Sequence, residues 1–114
     1  MTVTAVDSRA QRVLSKRESI LFTADFTLAL QPTEKITSAT SVVETSSLGV
    51  TVGGGAANTS EAISCDGKTI AIGKAVQFRV SAASATEGDA VVSVVVATDA
   101  SNMRAMNCRL KIVA

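Results

Sequence analysis

The chain has 114 residues, 46% of them hydrophobic and 18% charged, and its 11 Lys and Arg against 10 Asp and Glu leave a net charge of +1. With no His, Trp or Tyr and only three Phe, it offers no imidazole for a catalytic triad or a metal and no aromatic platform for stacking bases. The near-balance of charge argues against a nucleic-acid binder, which needs a basic stripe, and the length is that of one domain.

Residues 1–18 stand apart by charge. They hold Arg9, Arg12, Lys16 and Arg17 against Asp7 and Glu18, a net +2. Val13 and Leu14 are the large apolar residues of the basic stretch. The segment is expected as an N-terminal arm, either a short helix or extended. Its charges are then solvated on a frayed terminus, or they order against a partner subunit or an acidic surface. It lacks the apolar run of about 7–15 residues that a secretory signal needs. No window reaches the ~18 apolar residues of a membrane helix.

The rest of the chain reads as β structure. Every even position from Ile20 to Leu30 is apolar, a period of two that predicts a strand over residues 20–30. Pro32 closes it. Residues 36–44, rich in Thr, Ser and Val, predict a half-exposed strand, and residues 48–52, 62–65 and 69–72 are short candidates. Gly53-Gly54-Gly55 reads as a mobile loop. Asp66-Gly67 fits a two-residue hairpin turn. Val76, Phe78 and Val80 alternate with Gln77, Arg79 and Ser81. Residues 90–97 form a Val-rich run suited to a central strand. In the last strand Met106, Cys108, Leu110 and Ile112 face inward, with Asn107, Arg109 and Lys111 outward. Glu87-Gly88-Asp89 and Asp99-Ala100-Ser101-Asn102 read as the turns of the final hairpins.

This predicts an all-β fold of seven to eight short strands: a single antiparallel β-sandwich with an immunoglobulin-like Greek key over residues 19–114, preceded by the basic arm at 1–18. A small closed barrel is the alternative architecture. Cys65 and Cys108 are too few for a disulfide scaffold and read as reduced thiols, with pairing open if their strands are neighbours.

No residue pattern points to catalysis, and the chain is expected not to be an enzyme and to need no cofactor. The acids are dispersed among turns, without the spacing of a calcium loop or a hydrolytic pair. Gly53-Gly54-Gly55 lacks the Gly-Lys-Ser/Thr of a phosphate loop. Asn58-Thr59-Ser60 matches a glycosylation tripeptide without a secretory context. The candidate partner-binding residues are Arg9, Arg12, Lys16 and Arg17 of the arm and Arg109 and Lys111 of the last strand. Arg109 and Lys111 read first as charges that keep an exposed sheet from aggregating, and second as a dock for an acidic partner. The charged fraction of 18% is below the ~25% of ordinary soluble domains. Thr and Ser on outward strand positions suit close contact with other proteins.

Asp25-Phe26, Leu28-Ala29-Leu30, residues 34–43, the run from Glu87 to Ser101 and the closing strand at 105–113 together resemble a family of small bacteriophage virion proteins with an immunoglobulin-like sandwich. Many relatives carry an aromatic residue after the final Gly-turn, where this chain has Ala90 and Val91. The resemblance implies a capsid decoration or cement protein on the outside of a phage head. It would be made in the host bacterial cytoplasm and carried in the virion. Its partners would be the major capsid protein or other virion proteins, in a homo-oligomer or symmetric cluster, without nucleic acid or membrane. A neck or tail component and a stand-alone immunoglobulin-like adhesion module are the alternatives.

Overall fold

Alternation of apolar and polar residues dominates the sequence, and strands dominate the structure, a computed structural model that describes residues 3–6, 11–65 and 67–114. The strands are β1 (Val3–Val6), β2 (Gln11–Ser15), β3 (Ser19–Asp25), β4 (Ile36–Glu44), β5 (Thr51–Val52), β6 (Ala56–Ala57), β7 (Ile63–Cys65), β8 (Lys68–Ile70), β9 (Ala75–Ser81), β10 (Gly88–Thr98) and β11 (Met103–Val113). Among the described residues there is no helix. One sheet runs β1-β3-β9, with β5 and β6 both paired to β9. A second runs β2-β11-β10-β4, and β7-β8 form a separate hairpin. Pairing is antiparallel except for β1 with β3 and β2 with β11.

The inner faces of the two larger sheets meet in one core, an all-β arrangement compatible with a β-sandwich. Phe22, Ala24, Phe78 and Val80 come from one side. Val92, Val94, Val96, Cys108, Leu110 and Ile112 come from the other. Phe22 and Phe78 are register partners with ring centroids 6.1 Å apart, within the range of favourable aromatic pairing. The alternation seen in residues 76–81, 90–97 and 106–112 is the alternation of burial observed. Cys108 is a free thiol buried in this core, and Cys65 lies on β7 of the hairpin.

The strand expected over residues 20–30 ends at Asp25. Its carboxylate accepts the Thr27 amide at 3.0 Å and the Thr27 hydroxyl at 2.6 Å, a local bond that turns the backbone out of the ladder. The Leu30 amide then reaches the Phe26 carbonyl at 3.1 Å. A four-residue turn replaces the period of two: Phe26 and Leu30 are buried, and Leu28 between them is 79% exposed.

Two of the shorter turn expectations agree with the backbone; the third, Glu87-Gly88-Asp89, does not, because Gly88 and Asp89 already lie on β10, paired with Ile112 and Lys111. Cys65 and Lys68 close the β7–β8 hairpin and Gly67 has a φ of 78°; Asp66 lies outside the described residues. Ser101 turns the β10–β11 hairpin with a φ of 60°, and its amide reaches the Thr98 carbonyl at 3.2 Å. In the glycine triplet the Gly53 amide bonds the Arg79 carbonyl at 2.7 Å. A Cβ on Gly55 would stand 2.6 Å from Val42 Cγ2, so the loop crosses β4 where only glycine fits.

The described part of residues 1–18 is strand rather than helix. The Lys16 amide donates to the Val113 carbonyl at 2.9 Å, which continues the β2–β11 ladder. Leu14 is fully buried in the shared core, so the stretch set apart by its charge contributes to the same packing as residues 19–114.

Candidate interaction surface

The parallel pairing of β2 with β11 brings together basic residues that lie about a hundred positions apart in sequence. Arg12 is opposite Leu110, Val13 opposite Lys111, and Arg109 opposite Gln11. Lys16 and Arg17 follow in a tight turn. There the Ser15 amide donates to Glu18 Oε1 at 2.8 Å, and the Glu18 amide donates to the Ser15 carbonyl at 2.9 Å. Lys16, Arg17, Arg109 and Lys111 therefore lie along one sheet edge and the strand beside it, while Arg12, the register partner of buried Leu110, sits on the inner face of the same edge strand. Glu18 lies in that turn, and Asp89 is the register partner of Lys111. Of the sequence candidates, Arg9 lies outside the described residues. Long cationic side chains gathered at an edge suit carboxylates on a partner surface.

The outer face of the β2-β11-β10-β4 sheet continues from this corner. Five cross-strand rows point away from the core: Asp89–Lys111, Val91–Arg109, Ser93–Asn107, Val95–Ala105 and Ala97–Met103. β4 extends three of them with Val43, Ser41 and Ser38. Charge is confined to the first two rows. Three of the large hydrophobic residues exposed on the protein lie here: Val13 at 65%, Met103 at 60% and Val43 at 49%.

A buried carboxylate, a half-buried one and a buried lysine, which sequence reading missed, fix the loops at the sheet ends. Glu34, one residue after Thr33 in the Pro32 loop, is buried. It accepts Thr98 Oγ1 at 2.6 Å, Asn102 Nδ2 at 3.0 Å, Arg104 NH2 at 3.0 Å and the Gln31 amide at 3.1 Å. The bonds from Thr98 and Asn102, then the Gln31 amide, hold its pKa down at about 2 against their burial cost. Lys74 places its ammonium on the carbonyls of Gln31, Pro32 and Glu34. Burial opposes ionisation of Glu44, but bonds from Ser46, Leu48, Val50 and Gly49 outweigh it and keep the carboxyl below its usual range. Glu34 meets partners 64 to 70 positions away, so no local motif announces it. These groups are saturated with structural bonds: among the described residues, no buried side-chain nitrogen or oxygen lacks a partner.

A shallow depression of about 240 Å³ lies beside Asn58, Glu61, Ile63 and Gln77. Its size is below the ~300 Å³ at which small-molecule pockets begin. Asn58 is committed to the scaffold, donating to the Glu61 and Ala71 carbonyls and accepting the Gly73 and Ala75 amides. Among the described residues, no three His, Cys, Asp or Glu converge as a metal site, and no helix is long and apolar enough to cross a membrane. The chain matches no protein-family model, no curated protein and no solved structure.

Proposed function

We propose that the chain is a structural virion protein of a bacteriophage, an immunoglobulin-like decoration or cement protein that binds the outside of the head and stabilises the shell. The observation that carries the reading is the placement of Lys16 and Arg17 next to Arg109 and Lys111 along the β2–β11 edge. Such an edge fits an acidic seam between capsid subunits. The immunoglobulin-like reading is supported by strand order. Strands β3, β9 and β5 follow the antiparallel order B, E, D, and β11, β10 and β4 follow G, F and C; β1 departs from strand A by pairing parallel to β3. β2 beside β11 adds an N-terminal strand to that second sheet. The resemblance carried by residues 20–113 supports the virion setting.

The mechanism is mass action. A subunit that binds the expanded shell and not its precursor stabilises the expanded state by its binding free energy. Many weak copies, arranged as symmetric clusters, hold the shell through avidity.

Deleting residues 1–18 is a poor test, because it would remove Leu14 from the core. The Lys16→Glu/Arg17→Glu double variant changes charge at the turn and leaves the core intact. Purified wild-type protein is expected to co-sediment with expanded phage heads and not with precursor shells. The double variant is expected to bind at least about tenfold more weakly. Failure of the wild type to bind expanded heads, or unchanged binding by the double variant, would overturn the reading.

A further inference from the structure

We infer that the open edge of β2 binds its partner by strand addition, taking an extended acidic segment as a further strand of the β2-β11-β10-β4 sheet. The inference rests on the reading of the β2–β11 edge as the partner-binding site, and states the form the partner takes there. β2 ends the sheet order: one of its sides pairs with β11, and the other meets no strand among the described residues. A strand in that position presents a row of backbone donors and acceptors.

The ladder fixes which groups those are. The Lys16 amide donates to the Val113 carbonyl. In a strand the amide and carbonyl of one residue point to the same side, and the side alternates along the chain. Arg12 and Leu14 therefore bond toward β11, while Gln11, Val13 and Ser15 direct their backbone groups outward. Ser15 is already closed: its amide donates to Glu18 Oε1 at 2.8 Å, and its carbonyl accepts the Glu18 amide at 2.9 Å. Gln11 and Val13 remain, and among the described residues no bond outside the ladder engages their backbone. Val13 is 65% exposed, so the backbone at its position is within reach of a partner. Main-chain bonds to this pair of residues set the register of a short added strand, and side chains beside it set its identity.

Charge selects the occupant. Lys16 and Arg17 stand at the closed end of the edge, in the Ser15–Glu18 turn. Lys111 lies in the row of Val13, and Arg109 in the row of Gln11. A residue added opposite Val13 is two strand spacings from Lys111, ~9.6 Å, a gap that two long side chains of opposite charge bridge. A second copy fits this edge poorly. Its own β2 and turn would bring Arg12, Lys16 and Arg17 with only Glu18 to offset them, so the edge would gain positive charge. Cations on an edge strand oppose pairing of like with like. A segment alternating Glu or Asp with small apolar residues meets the open backbone and the charge together.

The test uses the full-length chain, the capped peptide Glu-Val-Glu-Val-Glu-Val-Glu as the extended acidic probe, and purified expanded phage heads. In an NMR titration the peptide is expected to shift the Gln11 and Val13 amides most and to slow their hydrogen exchange. The same peptide with Lys for Glu, and the acidic peptide N-methylated throughout, are each expected to bind at least about tenfold more weakly. The first loses the charge and the second the donors, and neither alters the protein. Val13→Pro removes the outward amide at an edge position where proline is tolerated. It is expected to weaken binding of peptide and heads at least about tenfold, with thermal melting close to wild type. No binding of the acidic peptide, equal binding of its N-methylated form, or shifts confined to β11 would overturn the inference. Val13→Pro binding heads as the wild type does, beside a weakened Lys16→Glu/Arg17→Glu, would overturn strand addition and leave the virion reading standing. A wild type that binds the acidic peptide along β2 but no phage heads would uphold strand addition and overturn the virion reading.

Discussion

On β3 and β9 the side chains that turn away from the core are Leu21, Thr23, Asp25, Ala75, Gln77 and Arg79. On β10 and β11 they are small, hydroxylated or apolar over most of their length. The first face is finished within the chain. The β7–β8 hairpin lies against one end of it, where Ile70 and Ala75 are buried together with Ile63 packed on them. Lys68 of the hairpin reaches Asp25 at 2.9 Å. Thr23 on that face is fully buried and accepts a bond from Gln77 at 3.4 Å. The second face has no such covering segment among the described residues, although it exposes Met103 and Val43. Alternation buries one side of each strand equally well in both sheets. Whether the other side is covered depends on a separate segment of chain.

The largest test of this comparison concerns the strand that borders the bare sheet. Leu14→Ala empties a fully buried position and is expected to cost about 2–5 kcal/mol in urea unfolding. A loss under ~1 kcal/mol would mean that β2 is a detachable arm and not an edge of the sheet. Ile70→Ala comes next. It uncovers the far face and is expected to cost about 2 kcal/mol, the low end of the core range because its cluster is small. A negligible loss would make the hairpin an ornament, and the two outer faces equivalent.

Acid sensitivity sharpens the picture at the sheet ends. The Glu34 carboxyl titrates at about 2 in the folded chain against an ordinary value of 4.5. Its contribution is therefore complete above pH 4.5 and is lost as pH falls through about 2. Asp25 and Glu44 are lowered too, so their contributions shrink in the same direction. The wild type is expected to lose stability steadily over that interval, and Glu34→Gln to lose less of it on acidification, by thermal melting at stepped pH. Parallel curves for the two proteins would contradict the stabilising role of the ionised Glu34 carboxylate. The smallest effect is expected from Lys68→Ala. Its ammonium is half exposed, and removing it should cost about 0–1 kcal/mol.

Much of the fold was legible because alternation reports burial directly. Residues 76–81, 90–97 and 106–112 needed only their own pattern, and Asp66-Gly67 its own turn chemistry. Residues 26–30 misled because Phe26, Leu28 and Leu30 satisfy a period of two while the Asp25–Thr27 bonds impose a turn. β2 carries one inward apolar residue, Leu14, too little for any period to register. The basic residues were legible as types, but their meeting on one edge required the parallel β2–β11 pairing, which nothing local encodes. The bare face was foreshadowed by the excess of Ser, Thr and small residues.

The most direct measurement for the account as a whole is the copy number of this chain in purified phage particles from the producing host, by quantitative mass spectrometry. A decoration or cement protein is expected at a number close to that of the main shell protein. A handful of copies would contradict the head assignment and move the chain to the neck or tail. Complete absence from particles would contradict the virion reading itself.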